Sequence, residues 1–226
     1  MADHVAKQRI YEQFARIGKA LAAPGRLELI DLLAQGERPV DALAKEAQMS
    51  IANASQHLQV LLAARLVDTR RDAQRIYYRL AAPSVIELWL ALRRTAESQL
   101  AELPAIAREY LGAPDSFEPI DREELARRIE AGTVVLIDVR PAEEFEQGHI
   151  AGAVSVPLDA VKAWAREHAP KRKPIVAYCR GPYCVYAIQA VAELKKRGLR
   201  ALRSDDGVAE WRAAGLPIET SNETRT

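Results

Sequence analysis

The sequence predicts two domains of different construction: a mainly α-helical half, then an α/β half built on a parallel sheet. Three observations carry this. Up to about Leu111, apolar residues recur at helical spacing. Beyond Pro119, short continuous apolar runs alternate with helical patterns, the order that gives parallel strands with crossover helices. Between them LGAPDSFEP, residues 111–119, combines Gly, two prolines and polar residues as linkers do.

In the first half, Tyr11, Phe14, Ile17, Gly18 and Leu21 mark one helix, broken at Ala23-Pro24-Gly25. Leu27, Leu29, Ile30, Leu32 and Leu33 mark a second, ended by Gln35-Gly36. Asp41 to Ala47 is a third, and Ala52 to Ala64 a fourth, with Ala54, Leu58, Leu61 and Leu62 on one face. Leu66 to Arg70 and Arg75 to Leu80 read as two strands around a polar turn, Arg71-Asp72-Ala73-Gln74. Ser84 is placed to cap a long fifth helix through Ile86, Leu88, Trp89 and Leu92.

In the second half, Val134 to Val139, Ala153 to Val156 and Ile175 to Tyr178 are apolar enough for strands buried on both faces. Helical patterns cover Glu123–Ala131, Leu158–His168 and Val185–Arg197.

Composition narrows the function classes. Of 226 residues, 49% are hydrophobic and 28% charged, the balance of a globular protein. No apolar run reaches the roughly 20 residues that span a bilayer. The first residues are charged and lack the apolar core of a signal peptide. Two cysteines make no disulfide framework, so a cytoplasmic protein is expected, with no membrane partner. Net charge is +1, and the first 118 residues hold 15 basic and 15 acidic side chains. Any nucleic-acid binding must therefore come from a local patch.

One such patch lies in Val40 to Leu61, two helices joined by a tight turn. Asn53, Ser55, Gln56 and Gln59 fall on the outward face of the second helix and suit base edges. His57 joins them as a candidate contact, with packing as its other role. Arg70, Arg71 and Arg75 on the hairpin can sit on phosphates. A plain helical bundle with a polar face would show the same spacing. The order of helix, turn, polar helix, basic hairpin and long helix resembles the ArsR/SmtB winged-helix repressors over residues 5–100. The resemblance rests on Ser55-Gln56-His57-Leu58, on Leu61 to Val67, and on Arg75 to Leu80. It implies a homodimer on double-stranded operator DNA, formed through the first and last helices, with Tyr11, Phe14, Val85, Trp89 and Leu92 as interface or core. Many such repressors bind a metal through cysteines in the first helix of the motif. Arg38 to Leu43 has none, so no metal site is expected.

Both cysteines lie in the run from Ile175 to Ile188, where a buried strand delivers Cys179 and a helix begins near Val185. Amides at the loop and helix start, with Arg180, would favour the thiolate. The alternative is a buried, inert cysteine. This half resembles the rhodanese (sulfurtransferase) domain over residues 117–220, giving a rhodanese-like sheet flanked by helices as the expected fold. The supporting blocks are Leu136 to Arg140, Glu144 to Ala153, Tyr178-Cys179-Arg180, and Gly207 to Pro217. The resemblance implies that Cys179 accepts a sulfane sulfur as a persulfide. Arg180 and the amides of Gly181, Tyr183, Cys184 and Val185 would hold it. The loop has the short length of the sulfurtransferases, not that of their phosphatase relatives. It departs from their common C-R-x-G-x-R pattern: Pro182 removes a donor, and Cys184 stands where a second basic residue is frequent. A second thiol so close is also the arrangement of a redox or persulfide sensor. Asp138 and Arg140 read as an internal ion pair, His149 as structural, Trp211 as core and Lys171-Arg172-Lys173 as a solvated loop.

The expected organisation is a winged-helix DNA-binding and dimerisation domain at 1–110, a linker at 111–118 and a rhodanese-like domain at 119–226. The expected function is a transcriptional regulator, a repressor, that senses sulfane sulfur or another thiol-reactive small molecule through Cys179 and Cys184. Two alternatives stand beside it: a thiosulfate or persulfide sulfurtransferase whose helical half dimerises it, and an arsenite-responsive repressor. No cofactor is expected.

Overall fold

The computed structural model describes residues 2–112, 119–168, 170 and 172–220. The chain forms two compact units, 1–92 and 93–226. The expected linker falls, from 113 to 118, outside the described residues, as does Lys171.

The first unit opens with α1 (Ala2–Leu21), α2 (Pro24–Leu33), β1 (Arg38–Pro39), α3 (Val40–Glu46) and α4 (Ile51–Ala63). Gln48 turns the chain between α3 and α4 at φ 49°. Ser50 then caps α4 by accepting the Asn53 amide at 3.2 Å. The hairpin of β2 (Val67–Asp72) and β3 (Arg75–Leu80) follows, with β1 added on the other side of β3. The strands run further than the sequence suggested: Arg71 and Asp72 pair with Ile76 and Arg75, leaving only Ala73 and Gln74 to turn. β1 has two residues, one a proline, and carries no strand signature.

Leu29, Ile30, Leu33, Leu43, Leu58, Leu61, Val67 and Tyr78 form the core of this unit. The long helix α5 (Pro83–Gln99) begins here. Its first residue is Pro83, whose fixed φ suits a first turn, so Ser84 lies inside the helix rather than capping it.

The second unit takes the end of α5 from Arg93, then α6 (Leu103–Leu111), β4 (Pro119–Ile120), α7 (Arg122–Glu130), β5 (Val135–Asp138) and α8 (Ala142–Gln147). It continues with β6 (His149–Ile150), β7 (Val154–Ser155), a 3-10 turn at Leu158–Ala160, α9 (Val161–Glu167), β8 (Ile175–Tyr178) and α10 (Val185–Lys196). β9 (Ala201–Ser204), α11 (Val208–Ala213) and β10 (Ile218–Glu219) complete it. Asp121 caps α7 by accepting the Glu124 amide at 2.9 Å.

Five strands form a wholly parallel sheet in the order β4-β9-β8-β5-β7. Central β8 alternates between two cores. Ile175, Ala177 and Cys179 join Val161, Ala187, Val191 and Leu194 on one face. Val176 and Tyr178 join Leu125, Val208 and Trp211 on the other. Burial on both faces is why the strand reads as one apolar run.

Candidate functional site

Cys179 follows β8 directly, at the carboxyl end of a central parallel strand, where ligand crevices of such sheets open. Cys184 immediately precedes α10, and the pair is joined in a disulfide with Cα atoms 6.2 Å apart. The direct bridge therefore closes without an inserted sulfur. Inside the loop, the Cys184 amide donates to the Gly181 carbonyl at 3.2 Å. Gly181 has φ 147°, which favours glycine.

Charge around the loop is neutralised pair by pair. The Arg180 guanidinium grips Glu144, with Nη2 2.6 Å from Oε1 and Nε 3.1 Å from Oε2. Glu144 is buried and also lies 4.0 Å from Arg140 Nη1. Arg140 forms a buried pair with Asp138, which also accepts the Tyr178 hydroxyl at 2.6 Å. On the far side of the loop, Glu210 accepts from the Gly207 amide at 2.8 Å and pairs with Arg93 at 2.7 Å. A Cβ at Gly207 would lie 2.5 Å from the Cys179 carbonyl oxygen, so only glycine lets α11 start this close to the cysteine. The Tyr183 hydroxyl donates to Glu97 at 2.9 Å. Burial first, then the Glu97 carboxylate, pushes this phenol up to about 12.

In the first unit, α4 exposes Asn53, Gln56 and Gln59, with Ser55 half-buried. His57 is half-buried too. A Cβ on Gly25 would lie 2.9 Å from its Nε2, so the ring packs against α2. On the hairpin, Arg71 and Arg75 are exposed, and the Arg71 Nε donates to the Ala73 carbonyl at 3.3 Å. Arg70 is held by Glu37 at 2.6 Å and Asp72 at 3.3 Å, and lies over the Tyr77 ring.

The comparisons agree with both units. The family model described as "Bacterial regulatory protein, arsR family" matches residues 23–69, and the rhodanese-like domain model matches 121–214. A Mycobacterium tuberculosis protein, the HTH-type transcriptional regulator Rv0324, is 45% identical over 213 residues, 94% of this chain and 93% of its own length. The chain belongs to the ArsR-family transcriptional regulators that carry a C-terminal rhodanese-like domain. Part of this ArsR–rhodanese regulator is also 36% identical, over 44% of its length, to a protein named sulfurtransferase from Allochromatium vinosum, covering 92% of that protein. A solved fragment from Mycobacterium bovis, described as a homodimeric winged helix-turn-helix DNA-binding domain, is 43% identical, with a TM-score of 0.41 over 42% of this chain and 89% of that one.

The regulator brings Cys179, Arg180, Gly181, Tyr183, Cys184 and Val185 together at one strand-to-helix loop. Asp138 and Arg140 form the internal pair expected of them. His149 is buried, stacked on Phe145 with its Nδ1 2.9 Å from the Phe145 carbonyl, and Trp211 is core. Val85 and Trp89, candidates for an interface, turn inward. Val85 is buried, and Trp89 packs against the same core and donates to Asp31 at 2.9 Å. Tyr11, Phe14 and Leu92 stay exposed. Sequence reasoning missed Glu144, Glu210, Arg93 and Glu97. An acid three residues after Gly207, at the start of a helix, was a readable signal for Glu210. Nothing local separates the other three from solvated helix charges. Among the described residues no cluster of three or more His, Cys, Asp or Glu could hold a metal, and no helix is long and apolar enough to cross a membrane.

Proposed function

We propose that this regulator is a homodimeric repressor that binds operator DNA through α4 and the hairpin and senses sulfane sulfur through Cys179 and Cys184. The observation that carries the reading is the bonded cysteine pair at the end of β8, on a chain whose other unit is a winged helix. In the open form, the Cys179 thiolate attacks the outer sulfur of a persulfide donor RSSH. The donor S–S bond breaks, Cys179–SSH forms and RS⁻ leaves. The Cys184 thiolate then attacks the Cys179 Sγ and expels HS⁻, closing the disulfide. The sulfane sulfur is reduced to hydrosulfide while two thiols are oxidised. Two equivalents of a small thiol reopen the bridge and leave as their own disulfide.

Arg180 spends its charge on Glu144, and Cys184 stands in place of a second cation. The loop therefore favours donors of low charge over the thiosulfate dianion. The likeness to a sulfurtransferase supports a second reading, an enzyme that turns over. One preparation separates them: operator binding by mobility shift with polysulfide and with reductant, and sulfurtransferase turnover. A redox-dependent shift with slow turnover supports sensing; fast turnover with constant DNA affinity supports the enzyme.

Two further results are expected. Gln56 is exposed on α4, and a good base contact is worth about 1–3 kcal/mol. Gln56→Ala should therefore weaken operator binding by about 5- to 150-fold and change binding to random DNA by no more than about twofold, read by fluorescence anisotropy. Equal losses on both DNAs would remove α4 from sequence recognition.

Phe14 is 64% exposed and meets Tyr11 edge-on at 5.8 Å, and exposed Ile10 lies one turn before it on the same face of the helix. An apolar patch of this kind is the expected seat of a second copy. An aromatic anchor there is worth about 2 kcal/mol. Phe14→Asp in the full chain should weaken dimerisation by at least about thirtyfold in sedimentation velocity, and an unchanged dimer would place the interface elsewhere.

A further inference from the structure

We propose that Glu97 and Arg93, near the end of α5, are positioning residues that hold the Cys179–Cys184 loop in its closed, disulfide form. The proposal rests on the sulfur-sensing reading above and names the residues that stabilise one state of that site.

The loop is gripped at two points from α5. Near its far end, Tyr183 stands next to Cys184 and donates its hydroxyl to Glu97 at 2.9 Å. At its base, Arg93 pairs with buried Glu210 at 2.7 Å, and Glu210 holds the Gly207 amide at 2.8 Å. Gly207 lies directly against the Cys179 and Arg180 backbone. A Cβ on Gly181 would meet Glu210 Oε1 at 3.2 Å and Arg93 Nη1 at 3.5 Å, so the same pair also walls the middle of the loop. Arg93 and Glu97 are themselves one helical turn apart, 3.5 Å between Nε and Oε1. The raised Tyr183 phenol stays protonated, and hence a donor, across the physiological range.

Opening the disulfide removes the covalent tie that fixes Cys184 relative to Cys179. Tyr183, one residue away, is then free to leave Glu97. A contact made in the closed form and weakened in the open one must favour closure, and by linkage its removal makes the bridge easier to reduce by the same factor. The reaction is exchange with a small thiol. RS⁻ attacks one sulfur of the bridge to give a mixed disulfide, and a second RS⁻ releases RSSR and leaves two protein thiolates that take up protons.

The test is the thiol–disulfide equilibrium of the full-length protein against reduced and oxidised glutathione, read by alkylation and mass spectrometry. Wild type, Tyr183→Phe, Glu97→Ala and Glu97→Gln are compared. Tyr183→Phe deletes one oxygen and keeps the ring, so it remains informative if Glu97→Ala folds poorly. Tyr183→Phe and Glu97→Ala should lower the equilibrium constant for the disulfide about tenfold, about 30 mV in potential. Glu97→Gln keeps an acceptor and should stay within about threefold of wild type. Equal potentials in wild type, Tyr183→Phe and Glu97→Ala would overturn the proposal. Operator affinity of oxidised and reduced wild type, measured alongside, judges the sensing reading separately: an affinity independent of redox state would end that reading without touching the redox comparison.

Discussion

Cys179→Ser is expected to abolish the response of operator binding to polysulfide. In the wild type, polysulfide should weaken binding at least about tenfold, which needs a coupling of only about 1.4 kcal/mol between the two sites. Serine cannot accept a sulfane sulfur, so neither the persulfide nor the bridge forms. The variant should hold the affinity of the reduced wild type whatever is added. Cys179 is 1% exposed and packs with Ile137, Ala187 and Val191, so Cys179→Ala serves as the partner variant that keeps the site apolar. Cys184→Ser should stop one step earlier, with a persulfide on Cys179 and a partial response. Mass spectrometry paired with mobility shift on the four proteins reads both steps. A full response in Cys179→Ser and Cys179→Ala would take the second unit out of sensing and favour the enzyme.

Where the sequence spoke clearly, one physical pattern dominated a long enough stretch. Ile175 to Tyr178 is apolar throughout because β8 is covered on both faces, and α4 shows a clean stripe through Ala54, Leu58 and Leu61. The elements that escaped are short. α8 and α11 have six residues each, too few to display a period of 3.6. β9 mixes Ala201 and Leu202 with Arg203, whose charge is met by Asp205 at 2.5 Å, so its sequence does not advertise a strand. The expected helix from Leu158 begins as a 3-10 turn after Pro157. At the site the placement of Cys179 was legible because topology put it at a strand end. The partners of the charges were not, since Arg180 finds Glu144 36 residues away and Tyr183 finds Glu97 86 residues away. Val85 and Trp89 show the same limit on the other side: an apolar stripe says that a face is covered, not by which surface.

The largest expected loss of stability follows from the charge chain beneath the loop. Arg140 and Asp138 are both fully buried. The guanidinium meets the carboxylate with Nε at 2.9 Å and Nη2 at 2.5 Å, and Nη2 also donates to the Gly148 carbonyl at 2.8 Å. The Tyr178 hydroxyl donates to the same carboxylate and accepts the Ile150 amide at 3.1 Å. Arg140→Met keeps much of the volume but strands the Asp138 charge in the core, which costs about 3–5 kcal/mol. For a unit of this size that is roughly 10–20 °C in Tm, measured by circular dichroism. Removing the charge from both partners, as Asp138→Asn with Arg140→Met, should recover half or more of the loss, because no uncompensated ion remains. A single-variant cost under about 1 kcal/mol would mean that water reaches the pair. The consequence also reaches the sulfur loop. Glu144 lies between Arg140 at 4.0 Å and Arg180 at 2.6 Å, so deleting Arg140 leaves Arg180 as the main partner of a buried carboxylate. With Arg140 gone, more of the Glu144 charge falls on Arg180. Cys179, once reduced, should in the folded variant be alkylated more slowly at neutral pH than in wild type, because the thiolate has less positive charge beside it.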